Sequence, residues 1–149
     1  MNANGRSTAG WSKWDGDILI DILIVEDNKE LAMVLCDFLR AEGYTVSTSE
    51  NAEKALSLYR RYGARLVVLD IMLPGEDGFS ICEKIRTESN TPILIVSAKT
   101  GKDDKLLGLN LGADDYMEKP YDIDIMLAKI GGIFKRRYSA DGLIDGDIR

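Results

Sequence analysis

An α/β three-layer sandwich, with a parallel five-stranded sheet between two layers of helices, is the fold class this sequence predicts. Two features carry that expectation. The runs Ile22-Leu23-Ile24-Val25, Leu66-Val67-Val68-Leu69 and Ile93-Leu94-Ile95-Val96 have no polar alternation, as strands covered on both faces require. Between the runs, apolar residues recur every three or four positions, the signature of helices with one buried stripe. Such alternation builds a parallel sheet through right-handed crossovers.

Taken in order, the first strand runs into Glu26-Asp27-Asn28, and Leu31, Val34, Leu35, Phe38 and Leu39 then mark a helix that ends at Gly43. Asp27 or Asn28 can cap it, and Gly43 suits a left-handed C-terminal position. Tyr44 to Ser49 alternates as a short second strand. Ala52, Ala55, Leu56 and Tyr59 form the stripe of a second helix before Gly63. The third strand ends in Asp70, and Pro74, Gly75 and Gly78 punctuate the turn into a helix carrying Phe79, Ile81, Cys82 and Ile85. The fourth strand ends in Ser97. Lys102 to Gly112 reads as the fourth helix, in which Leu106 and Leu109 are expected to pack inward. Tyr116-Met117 is a short fifth strand, and a last helix spans Asp122 to Tyr138, with Ile123, Met126, Leu127, Ile130, Ile133 and Phe134 facing the core.

At 149 residues the chain has the length of one domain. No apolar run approaches the roughly eighteen residues that cross a bilayer, so no membrane partner is expected. The net charge of −6 argues against a surface that is itself a nucleic-acid platform. Absence of histidine removes Ser-His and Cys-His nucleophiles and every His-bearing metal motif. Cys36 and Cys82 lie far apart, so neither a CxxC redox pair nor a cysteine-rich zinc site is available. Two buried, reduced thiols in a cytoplasmic protein are expected. Residues 1–17 read as a flexible N-terminal extension, 18–138 as the folded domain, and 139–149 as a linker towards a missing effector domain.

The polar residues that matter stand at the carboxyl ends of strands: Glu26 and Asp27 after the first, Asp70 at the third, Ser97 at the fourth and Lys119 at the fifth. In open α/β sheets the ligand crevice opens there, where the strand order reverses. With the order 2-1-3-4-5, Asp27 and Asp70 converge across neighbouring strands. Three close carboxylates repel, and a divalent cation relieves the repulsion. A donor set of oxygen alone favours a hard ion, and few carboxylates completed by water and a phosphoryl oxygen suit Mg²⁺. Lys119 and Ser97 offer an ammonium and a hydroxyl to a phosphoryl group, and an aspartate can act as the nucleophile.

Four segments, Ile22 to Asn28, Val68 to Gly78, Ile95 to Ala98 and Gly112 to Pro120, resemble in order and placement the signature of the bacterial response-regulator receiver domain. The resemblance covers about Ile18 to Tyr138 and implies a flavodoxin-like (βα)5 fold. It further implies that Asp70 accepts a phosphoryl group from the phosphohistidine of a sensor histidine kinase. Asp27 would bind Mg²⁺ directly, Glu26 through water and Met72 through its backbone carbonyl, with Asp70 completing the protein ligands. Ser97 and Lys119 would respond to the phosphoryl group, Tyr116 would be the switch aromatic, and Lys119-Pro120 would be a cis peptide. Such a domain catalyses only its own phosphorylation and dephosphorylation, so it is no enzyme in the ordinary sense.

Gly112 to Tyr116 and the ending Lys135-Arg136-Arg137 look most like the OmpR/PhoB subfamily of transcription regulators, which implies DNA binding only through an effector domain absent from this chain. The basic run by itself is accounted for by the negative end of the helix dipole. Members of that subfamily dimerise, when phosphorylated, through the face of the fourth helix, fifth strand and fifth helix. Asp115 and Lys129 fit one charge pair of that face, but the acid expected opposite Lys105 is replaced by Ile125. Rival readings are a haloacid-dehalogenase-like phosphatase, which would need a second acid where Met72 stands, an unphosphorylated pseudo-receiver, and a nucleotide binder, for which no glycine-rich loop follows the first strand.

Overall fold

The three unbroken apolar runs and two short mixed segments become five parallel strands: β1 (Ile20–Val25), β2 (Val46–Ser49), β3 (Ala64–Asp70), β4 (Ile93–Ser97) and β5 (Asp115–Glu118). The computed structural model describes residues 19–73, 77–98 and 102–138. The extension at 1–17 and the linker at 139–149 lie outside the described residues. Each strand is followed by a helix: α1 (Lys29–Ala41), α2 (Ala52–Tyr62), α3 (Gly78–Glu88), α4 (Lys102–Asn110) and α5 (Ile123–Tyr138). The sheet order is β2-β1-β3-β4-β5, as the sequence predicts.

Side chains of successive strand residues point to opposite faces, so one run feeds two cores. Leu23, Val25, Val67, Leu69, Ile93 and Ile95 pack beneath α2 and α3, where Ala55, Tyr59, Ile81, Cys82 and Ile85 meet them. Ile22, Ile24, Leu66, Val68, Leu94 and Val96 pack beneath α1 and α5 against Leu35, Leu39, Met126, Ile130 and Ile133. Ile123, Leu127 and Phe134 are half-buried against this second core. Both cysteines are buried and free.

Helix starts are fixed by side-chain oxygens that accept otherwise unpaired backbone N–H groups. Asn28, rather than Asp27, caps α1 by accepting from the Leu31 N–H at 3.0 Å. Asp77, which by sequence looks like plain solvated charge, caps α3 by accepting from the Phe79 N–H at 2.9 Å. Gly43, with φ +100°, turns the chain out of α1.

The fourth helix corrects the sequence reading. Leu106 and Leu109, expected inward, are 46% and 44% exposed. Gly108 is the residue that meets the sheet: a Cβ there would lie 2.8 Å from Ile95 Cδ1 and 3.2 Å from Tyr116 Cδ2. A helix that docks by a glycine turns its leucines outward. On α1, Val34 and Phe38 are likewise exposed while Leu35 and Leu39 are buried.

Candidate functional site

Strand register decides which polar residues meet. Val25 pairs with Leu69 across β1 and β3, so Glu26 and Asp70 emerge side by side. Asp70 pairs with Val96 and Ser97 with Glu118, which sets Lys119 at the same edge. The ladder continues one residue past β5, where the Lys119 N–H donates to the Ser97 carbonyl at 2.8 Å. Lys119-Pro120 is a cis peptide, as the resemblance implied.

The result, among the described residues, is an acidic pocket in which the Lys119 ammonium faces the acids. Carboxylate oxygens of Glu26, Asp27 and Asp70 lie within 4.8 Å of one another. Glu26 and Asp70 are each 5% exposed, whereas Asp27 stands open to solvent. Lys119 Nζ donates to Glu26 Oε1 at 2.7 Å and to Asp70 Oδ2 at 3.0 Å. Backbone donors take the other oxygens: the Asn28 N–H reaches Glu26 Oε2 at 3.1 Å and the Met72 N–H reaches Asp70 Oδ1 at 2.9 Å. Met72 therefore meets the phosphoacceptor candidate through its backbone, and its side chain is exposed.

Burial pushes the Glu26 carboxyl above its ordinary pKa, the hydrogen bonds from Lys119 and Asn28 oppose that rise, and the Asp70 charge adds to it. Burial alone would lower Lys119, but its bonds to Glu26 and Asp70 outweigh burial and raise it. Three carboxylates against one ammonium leave surplus negative charge in a mostly buried space, which a divalent cation would balance. The donors are all oxygen, and the exposed Asp27 gives such an ion a way in. The residues thus fit a hard divalent cation.

Ser97 is fully buried, and its side chain is hydrogen-bonded to the Tyr116 hydroxyl. Tyr116 is half-buried against the first core. The structure therefore gathers Glu26, Asp27, Asp70, Met72, Lys119, Ser97 and Tyr116 at one end of the sheet. Lys105, Asp115 and Lys129 belong instead to the face of α4, β5 and α5. There Lys129 Nζ pairs with Asp115 Oδ2 of the same chain at 2.7 Å, and Lys105 pairs with Glu118. Arg137, in the basic run ending α5, pairs with Asp114 at 3.1 Å.

Gly78, read from the sequence only as turn punctuation, and Tyr121, which the sequence reading did not single out, are further features of this end of the chain's sheet. Gly78 lies so close to the strand end that a Cβ on it would be 2.3 Å from Ile71 Cα and 2.9 Å from the Asp70 carbonyl oxygen. A glycine closing the turn that follows an acidic strand end was the available signal. Tyr121, two residues past Lys119, has a buried hydroxyl without a hydrogen-bond partner among the described residues.

A doubly wound sheet with buried acids, a lysine and a hydroxyl converging at its switch point defines a phosphoryl-accepting signalling domain. The chain belongs to the response regulator receiver domain family, whose pattern it matches over residues 22–131. It is similar to the sensory transduction protein RegX3 of Mycolicibacterium smegmatis, 39% identical over 130 residues, covering 86% of this chain and 57% of that protein. RegX3 of Mycobacterium tuberculosis is 40% identical over 118 residues, covering 79% and 52%. The chain thus spans about half the length of these curated relatives. Among solved structures, a two-component response regulator from Clostridium difficile superposes with a TM-score of 0.78 at 32% identity, covering 80% of this chain and 99% of that one. The BeF3-activated N-terminal receiver domain of Klebsiella pneumoniae RstA gives 0.74 at 29% identity, covering 77% and 98%. Among the described residues no helix is long and apolar enough to cross a membrane.

Proposed function

We propose that Asp70 accepts a phosphoryl group from the phosphohistidine of a sensor histidine kinase, in a reaction that requires Mg²⁺. The observation that carries this reading is a buried Asp70 held between the Lys119 ammonium, 3.0 Å away, and two further carboxylates within 4.8 Å. One Asp70 carboxylate oxygen forms the new P–O bond as the P–N bond to the kinase histidine breaks, and that imidazole leaves neutral after taking up a proton. The chain's lack of histidine fits this division, since the donor comes from the partner.

Asp27 and Asp70 would hold Mg²⁺ directly, Glu26 through water and Met72 through its carbonyl; bound there, it would supply neutralisation of charge on the transferred group. Lys119 stabilises the equatorial oxygens by leaving its present place between Glu26 and Asp70. Ser97 offers its hydroxyl to a phosphoryl oxygen, and doing so requires exchange of its bond to Tyr116. That exchange links the pocket to the face of α4, β5 and α5.

In this reading the chain is the receiver of a transcription regulator, as its likeness to RegX3 supports, with DNA contacted only by an effector domain. Phosphorylation promotes a homodimer through the α4, β5 and α5 face, where Leu106, Leu109 and Ile125 stand exposed between ion pairs. Incubation with phosphoramidate, followed by intact mass, tests the central reaction. The parent gains one phosphoryl group only when Mg²⁺ is present, and Asp70→Asn gains none; equal gain by the variant would refute the assignment.

A further inference from the structure

Helix α1 presents an apolar face that nothing among the described residues covers. Met33, Val34 and Phe38 are 65%, 47% and 45% exposed. A lone exposed apolar side chain is ordinary. Here Val34 and Phe38 stand one helical turn apart with Met33 beside them, so the three form a patch, and the exposed Asp37 stands within it.

The patch lies where the chain enters the fold. At the start of β1 the Asp21 N–H donates to Thr45 Oγ1 at 3.0 Å, and the Thr45 N–H donates to Asp21 Oδ2 at 2.9 Å. The neighbouring Tyr44 N–H donates to the Leu39 carbonyl, in the last turn of α1, which also carries Phe38. Whatever precedes β1 in the chain therefore starts close to Phe38. Both tryptophans of the chain, Trp11 and Trp14, fall in that preceding stretch, outside the described residues. Trp14 precedes Ile20 by six positions, a reach of about 20 Å, whereas Val34 and Phe38 are about 6 Å apart along the helix. Asp15-Gly16, between Trp14 and β1, is a turn-forming pair that can reverse the chain onto α1. Lys13, between the tryptophans, finds a counter-charge in Asp37. So short a tether sets an effective concentration of roughly millimolar, which favours this occupant over a free one.

We propose that Trp11 and Trp14 dock on the α1 face formed by Met33, Val34 and Phe38, so that the chain's own N-terminal segment occupies it. That face adjoins the acidic pocket, since α1 begins two residues after Asp27, and a partner approaching over α1 has to displace the segment.

Because the segment holds both tryptophans, tryptophan fluorescence of the intact chain reports on it alone. The parent is expected to emit to the blue of N-acetyltryptophanamide, to resist acrylamide quenching relative to that free indole, and to keep both properties on dilution. Phe38→Lys and Val34→Lys, at positions already exposed, are each expected to shift the emission to the red and lose the protection while retaining the parent's circular dichroism. Leu106→Lys, on α4, is expected to change neither. Parent tryptophans that emit and quench like the free indole overturn the proposal, as does blue emission that persists in both α1 variants. A red shift on dilution overturns it too, since a second copy of the chain would then be covering the tryptophans, and a red shift from Leu106→Lys would place them on α4 instead.

Discussion

At Glu26, burial and the neighbouring Asp70 charge raise the carboxyl while Lys119 and Asn28 hold it down, and the net shift is upward. A raised acid binds its proton more readily in the folded chain than in the unfolded one. Stability therefore falls as pH rises from the ordinary carboxylate range through the raised folded value, and levels off above it. Lys119 has the opposite bearing: its raised pKa contributes stability that is whole below the ordinary lysine value and lost as pH climbs through the folded one. Glu26→Gln should accordingly raise the melting temperature of the metal-free protein at pH 7, while weakening Mg²⁺ binding. The stability gain should vanish as pH drops through the ordinary carboxylate range. A less stable variant at pH 7 would contradict this electrostatic account. The acids and the lysine were legible because strand-end carboxylates after apolar runs need partners, and register then brought them together. The Tyr121 hydroxyl was not, because pattern reading treats an aromatic beside a helix start as packing.

Between elements, the close approaches are made by glycine. The room a Cβ would need at Gly78 is filled by the backbone of Ile71 and Asp70, at 2.3 and 2.9 Å, which cannot yield without moving the end of β3. At Gly108 the obstacles are the tip of Ile95 and the ring of Tyr116, which can give. Gly78→Ala should thus cost about 1–3 kcal/mol and slow phosphorylation by displacing Asp70. Gly108→Ala should cost less and act on the Tyr116 position instead. Thermal melts and phosphorylation rates of the two variants check that order, and a milder effect at Gly78 would refute it. The same geometry explains why α4 misled a reading by periodicity. Leu106 and Leu109 share a helical spacing that fits a buried stripe, but the sheet is met by a residue without a side chain, which no hydrophobic pattern reveals. The strands were read more securely, because unbroken apolar runs have few other uses than a sheet covered on both faces.

Across the whole molecule, the proposed function has phosphorylation at one end of the sheet read out on another surface. The face of α4, β5 and α5 offers apolar Leu106, Leu109 and Ile125 beside ion pairs already closed within the chain, Lys129 with Asp115 and Lys105 with Glu118. With these four charges paired within the chain, a dimer on this face would draw on apolar burial by Leu106, Leu109 and Ile125. Beryllofluoride-treated protein should then sediment as a dimer at concentrations where untreated protein is monomeric, and Ile125→Lys should abolish the shift. Dimerisation that survives Ile125→Lys would place the interface elsewhere. All of this depends on where the phosphoryl group lands. An aspartyl phosphate is reduced by borohydride to homoserine, so reductive trapping after phosphorylation, followed by peptide mapping, identifies the acceptor directly. Homoserine at position 70 and nowhere else is the predicted result; homoserine at another acid, or none from a protein that has gained a phosphoryl group, would contradict it.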